Sequence, residues 1–181
     1  MHIVMQVTAY RAVAYAEALR LLALEKNQGE LGRFSSWDGL DSAPFGQGVY
    51  LVSDPQAAAS QASRQAISPC ALLRQQVDVT DMLILDDLYG LDDLRTEVLF
   101  WRHAPDEWEF LASGMDEDDW QAWLGREIRD YVLEQGHSGI LYHRGEITYY
   151  VCYHPQSQIH SIQMLAQLPI GRKRVSAGPI N

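Results

Sequence analysis

Gly46-Gln47-Gly48-Val49-Tyr50 places two residues without side chains just ahead of a phenol ring, at the opening of a strand-like run. Glycine removes the Cβ that would block close approach, so such a turn can bring backbone against a flat ligand and stack the ring on it. In the second half, Gly136-His137-Ser138-Gly139-Ile140-Leu141-Tyr142 leads to Glu146 and the strand-like run Thr148 to Tyr153. A carboxylate beside a strand can stabilise positive charge developing on a sugar during transfer, and Glu146 is the only acid after Glu134. Each group also has a plain structural reading. Tyr50 can fill a core with its ring, Arg11 can be a surface charge at a strand end, and Glu146 can be a solvated loop carboxylate beside Gly145. His143 and His154 are of the residue type that serves in acid–base catalysis but read as turn residues, and Ser35 and Ser36 read as caps within a loop rich in turn formers.

These groups need a scaffold of strand-rich ends around a helical middle. His2 to Ala12 reads as a first strand with Ile3, Met5 and Val7 on one face. Ala14 to Lys26 reads as a helix with Leu19, Leu22 and Ala23 at helical spacing, ended by Asn27-Gln28-Gly29. Leu31 to Pro44 reads as a loop, Gly48 to Val52 as a short strand, and Asp54-Pro55 as the start of an Ala-rich helix reaching about Ala66. Leu72 to Val79 and Met82 to Leu85 read as a strand and its continuation. From Leu88 to Gln135 apolar residues recur at helical spacing: Leu91, Leu94, Val98 and Trp101, then Trp120, Trp123, Leu124, Ile128, Tyr131 and Val132. The tryptophans read as packing, and Asp116-Glu117-Asp118-Asp119 as a helix start favoured by the dipole, since it lacks the spacing and glycine of a calcium loop. Ile140 to Tyr142, Ile147 to Tyr153 and Ile159 to Leu165 read as closing strands.

Composition narrows the function classes. The chain has 181 residues, 47% of them apolar and 21% charged, so one domain with a sizeable core is expected over residues 1–170, followed by a polar tail at 171–181 expected to be mobile. A net charge of -10 disfavours general nucleic-acid binding, which depends on Lys and Arg displacing counterions, yet leaves room for one nucleotide held by an Arg and a few backbone N–H groups. Cys70 and Cys152 form neither a zinc motif nor a disulfide framework. No metal site is legible. No basic, apolar leader and no window near the ~18 apolar residues of a membrane span is visible. The expected location is therefore the cytoplasm, or another cell reached by a route without a cleavable signal.

Tyr10-Arg11-Ala12, Phe45 to Leu51, the helix led by Asp54-Pro55, the strand region Val77 to Asp86, and Gly136-x-x-Gly-Ile followed by Tyr150-Val-Cys-Tyr-His-Pro-x-x-Gln-Ile159 occur in a telling order. In that order the chain resembles bacterial ADP-ribosyltransferase-like domains over most of its length. The resemblance implies an α+β fold, a split β-sandwich with a helical middle segment that grips NAD between two small sheets. It implies that Tyr10, Arg11, Ala12, Phe45, Gly48 and Tyr50 bind NAD, with Tyr50 stacked on nicotinamide, and that a Glu, here Glu146, meets the nicotinamide ribose. The implied activity is NAD-dependent mono-ADP-ribosyl transfer to a macromolecule, with a protein target expected and a toxin or effector role. Here the chain departs from the family pattern, since Tyr149 stands where the family's glutamate is expected and Glu146 lies three residues earlier. NAD-phosphorolysing toxins of related fold place a Glu in the helix after the tyrosine strand, where this chain has Ala57 to Ala62. An NAD glycohydrolase or phosphorylase, or a catalytically inactive version binding a protein through its acidic middle, are the alternatives.

Overall fold

The computed structural model describes residues 4–26, 44–64 and 69–168. The loop expected at Leu31 to Pro44 lies outside them apart from its last residue, as do Ile3, Ser35, Ser36 and the tail at 171–181. The described chain is α+β, in the order β1 (Gln6–Ala14), α1 (Tyr15–Lys26), β2 (Val49–Val52), α2 (Pro55–Arg64), β3 (Cys70–Asp78), β4 (Met82–Leu85), α3 (Leu91–Arg102), α4 (Pro105–Ser113), α5 (Glu117–Glu134), β5 (Gly139–Arg144), β6 (Ile147–Cys152), α6 (Pro155–Gln158) and β7 (Ile159–Leu168). The starts of α2 and α5 follow from their first residues. Asp54 accepts from the Ala57 N–H at 2.8 Å, and Asp116 from the Asp119 N–H at 2.8 Å, each satisfying a donor that the first helical turn leaves open.

All seven strands form one hydrogen-bonded sheet in the order β4-β5-β6-β2-β1-β3-β7, antiparallel except for the β4–β5 pair. A split sandwich of two small sheets was expected, and a single bridge, Tyr10 opposite Val52, joins β1 to β2 and divides the sheet into two halves. The chain then forces those halves over one another. β3 and β4 stand five places apart in the strand order, roughly 24 Å in a flat sheet at about 4.8 Å per strand. Only Val79, Thr80 and Asp81 connect them, and four steps of extended chain reach at most about 14 Å. The sheet must fold at the β1/β2 seam, which produces the interior of a split sandwich.

The core records that folding. Ala9 and Val13 of β1 and Leu73 and Val77 of β3 share one cluster with Val49 and Leu51 of β2, Tyr150 and Cys152 of β6 and Met82 of β4, closed by Ala18 and Leu21 of α1. The outer face of one half carries α2, through Ala58 and Ala62 against Val52, Leu72 and Ala12. On the other half Leu94, Val98, Leu124, Ile128 and Val132 of α3 and α5 pack on Leu85, Ile140 and Val151.

Three expectations are corrected. β4 is not a continuation of β3: the Asp78 carboxylate accepts from the Thr80 N–H at 2.9 Å, turns the chain, and sends β4 to the far edge beside β5. The first strand begins at Gln6, its inward face being Ala9, Arg11 and Val13, while Met5 is exposed. On α1 the inward face is Ala18, Leu21 and Leu22, leaving Leu19 exposed.

Candidate functional site

The seam is where the sheet offers unladdered backbone. β1 and β2 meet at Tyr10 and Val52 and pair nowhere else, so residues 11–14 of one strand and 49–51 of the other diverge from that bridge. Arg11 is the first residue past it. Paired residues share a sheet face and neighbours alternate, so Arg11 points into the sandwich interior, where only 3% of it is exposed. Its Nε donates to Oε1 of Gln75 at 2.9 Å. Burial lowers the guanidinium to about 10, opposed by the charge of Glu17 on α1 and by Cys152, which leaves it cationic at neutral pH. The same burial pushes the Cys152 thiol up to about 12, with Arg11 acting the other way. The interior at the seam thus presents a buried cation, a neutral thiol and an amide.

Tyr50 lies elsewhere. Tyr10 and Val52 are opposite one another, so Tyr50 shares the outer face with Val52 and Tyr10, away from Arg11. Its hydroxyl donates to the Gly46 carbonyl at 2.6 Å and accepts from the Phe45 N–H at 3.2 Å. Desolvation raises its pKa, with the Phe45 bond opposing. Phe45 is buried, meets Tyr142 edge-on at 5.9 Å, and its carbonyl accepts from the Tyr153 hydroxyl at 2.7 Å. The close approach that the two glycines permit is made by the protein itself. At Gly46, with φ of 74°, a side chain would fall on the Gly125 carbonyl of α5; at Gly48 a Cβ would stand 3.0 Å from the Cys152 carbonyl and 3.1 Å from the Tyr153 ring.

Of the remaining residues, Tyr10 packs with Val52, Ala58 and Tyr149 on the outer face, and Ala12 packs with Ala62 and Cys70 beneath α2. Glu146 is exposed in the turn between β5 and β6, beside Gly145 with φ of 62°. Tyr149 is the residue opposite Val52, so the turn extends past the Tyr10–Val52 bridge on the side away from the divergence. Glu146 stands four residues beyond Tyr150, roughly 13 Å along the strand. The structure therefore gathers Phe45, Gly48 and Tyr50 on the α5 side, sets Arg11 in the interior, and leaves Glu146 at a hairpin tip. His143 meets the Thr148 hydroxyl at 3.0 Å in that hairpin, and His154 opens the short turn of α6.

No model of a known family matches the sequence, and no curated protein matches it. A solved structure, the M. tuberculosis MbcT–MbcA toxin–antitoxin complex, aligns with 16% identity and a TM-score of 0.40, covering 90% of this chain and 86% of that one.

Gln75, Glu17 and Cys152 are the neighbours of Arg11 that the sequence reading passed over. Gln75 carried a signal, since it interrupts the inward series Ala71, Leu73, Val77 with the one polar side chain on that face of β3. Glu17, on the first turn of α1 and bonded to Arg20, carried none, because an acid at a helix start has a sufficient local explanation. Among the described residues no group of His, Cys, Asp and Glu could hold a metal ion, and no helix is long and apolar enough to cross a membrane.

Proposed function

We propose that the chain is an NAD-dependent mono-ADP-ribosyltransferase that holds the diphosphate of NAD on Arg11 at the seam and transfers ADP-ribose to a protein target, as a toxin or effector. The observation that carries this reading is the buried Arg11 cation at the point where the two half-sheets part. A guanidinium out of water pairs with phosphate oxygens in a forked geometry and without competition from solvent. Cleavage of the nicotinamide–ribose bond passes through an oxocarbenium-like state, so the reading needs a carboxylate near the ribose. The resemblance assigns that role to Glu146. Keeping water from the anomeric carbon then separates transfer from NAD hydrolysis.

The test is NAD titration by calorimetry together with nicotinamide release, for the wild type, Arg11→Met and Glu146→Gln. The reading expects NAD binding that Arg11→Met abolishes, and turnover that Glu146→Gln cuts on the order of a hundredfold while affinity survives. Absence of NAD binding by the wild type overturns it. Unchanged turnover in Glu146→Gln removes that residue from the chemistry and leaves the binding half intact.

A second reading, a protein-binding module without catalysis, is favoured by one observation. Seven acids and no Lys or Arg lie between His103 and Gly125, and Phe110 within that stretch is 78% exposed. A folded protein that neither binds NAD nor releases nicotinamide would support it.

A further inference from the structure

Gln75 has more hydrogen-bonding capacity than the described residues use. Arginine offers only donors, so the contact of Arg11 Nε with Gln75 fixes the amide with its oxygen toward Arg11 and its NH2 turned the other way. That NH2 is fully buried, with the residue 0% exposed, and among the described residues Nε2 has no hydrogen-bond partner. Its register neighbours are apolar: Gln75 stands opposite Ala9 on β1 and Ile162 on β7, with Leu73 and Val77 before and after it on its own face. Gln76, on the other face, is satisfied through the Thr8 hydroxyl at 2.9 Å. Buried amide donors are ordinarily paired, and one oriented by a cation yet left open is poised for an acceptor that arrives with a ligand.

We infer that Gln75 is a ligand-binding residue whose Nε2 donates to an oxygen of the same diphosphate that Arg11 holds, so that cation and amide together recognise two oxygens of one nucleoside diphosphate group. The inference rests on the NAD reading of the seam. It assigns to β3 a share of the site that the glycine turn at Gly46 and Gly48 does not supply, because that turn is filled by α5 and β6.

Gln75→Glu and the side-chain NH2 signals of Gln75 together separate ligand binding from mere support of Arg11. Glutamate keeps an acceptor for Arg11 Nε but loses the donor and sets a negative charge against phosphate. Retained affinity would show that no donor is needed there; because the added charge also weakens phosphate binding by itself, a loss of affinity counts only together with a response of the Gln75 NH2. Calorimetry with NAD and with ADP-ribose is expected to show affinity reduced at least about tenfold for folded Gln75→Glu. In parallel, the Gln75 side-chain NH2 signals of the wild-type protein, followed by 15N NMR, are expected to shift downfield as ADP-ribose is added. Wild-type affinity in folded Gln75→Glu, or unmoved NH2 signals at saturating ADP-ribose, overturns the inference. If Arg11→Met abolishes binding while either of those results is obtained, the NAD reading stands and Gln75 alone is excluded. A wild type that binds neither ligand removes both.

Discussion

Replacing Tyr50 separates two roles that the structure sets against each other. The resemblance implies a ring stacked on nicotinamide; the structure shows a hydroxyl tying Phe45 and Gly46 into the turn before β2, on the face away from Arg11. Tyr50→Phe keeps the ring and deletes both of those hydrogen bonds. At about 0.5–1.5 kcal/mol each the loss is about 1–3 kcal/mol. For a chain of this size each kcal/mol moves Tm by about 2–4 °C, so thermal denaturation followed by circular dichroism should show a fall of roughly 2–12 °C. Tyr50→Ala also removes the ring that packs with Phe45, Tyr153 and α5, and aromatic truncation costs about 3–5 kcal/mol. The expected stability order is wild type, then Phe, then Ala. NAD affinity should stay within about twofold in Tyr50→Phe, since the side chain does not face the seam. An unchanged Tm in Tyr50→Phe would refute the clamp. Folded Tyr50→Ala that has lost NAD binding, beside Tyr50→Phe that has kept it, would restore the stacking role.

Glycine substitutions should diverge with their surroundings: Gly46→Ala meets the Gly125 carbonyl and the Arg129 Cβ and is expected to cost about 3 kcal/mol or more, whereas Gly145→Ala, with open space around it, should cost only the left-handed backbone term of about 1 kcal/mol. Urea midpoints measured on both variants check the difference, and equal losses would contradict it. Stability should also fall at alkaline pH. Burial raises Cys152, Tyr50 and Tyr153, so the folded state keeps protons that the unfolded chain releases near its ordinary values of about 9 and 10; the stability these groups contribute is complete below those values and is lost as pH rises above them. Arg11 acts the other way above pH of about 10, where the folded state gives up a proton that the unfolded chain retains. Three groups against one give a lower urea midpoint at pH 10.5 than at pH 8, and a midpoint that holds or rises would show these groups to be solvated.

The sequence was legible where the cause of a structure is local. Asp54-Pro55 and Asp116 start helices because the side chain that caps each helix lies three residues from the N–H it satisfies. The apolar series of α3 and α5 is likewise complete within each helix. The path of β4 was not legible, because the residues that turn the chain after Asp78 are local but the partner that receives Met82 to Leu85 is Gly139 to Tyr142, more than fifty residues later. Glycine at 46 and 48 announced close approach correctly, and nothing in the sequence names what approaches. The answer, α5 and β6, comes from elements far along the chain.

The same distinction governs the site. Tyr10-Arg11-Ala12 reads as a strand end, and whether its arginine meets water or a core depends on how the sheet folds at the β1/β2 seam. The three-residue connection from β3 to β4 decides that, since it is too short to cross an open sheet and obliges the two halves to face one another. Arg11 is thereby enclosed with Gln75, in an interior that includes Ala9, Val13, Leu51, Leu73, Val77, Tyr150 and Cys152, with the charge of Glu17 acting on it. An arginine there is a poor way to gain stability. Well-packed apolar residues of similar volume commonly serve a core as well or better than a buried charge, and desolvation is what lowers the Arg11 guanidinium. Glu17 offsets part of that cost, and the proposed diphosphate would add a second anion at the point where the two half-sheets part.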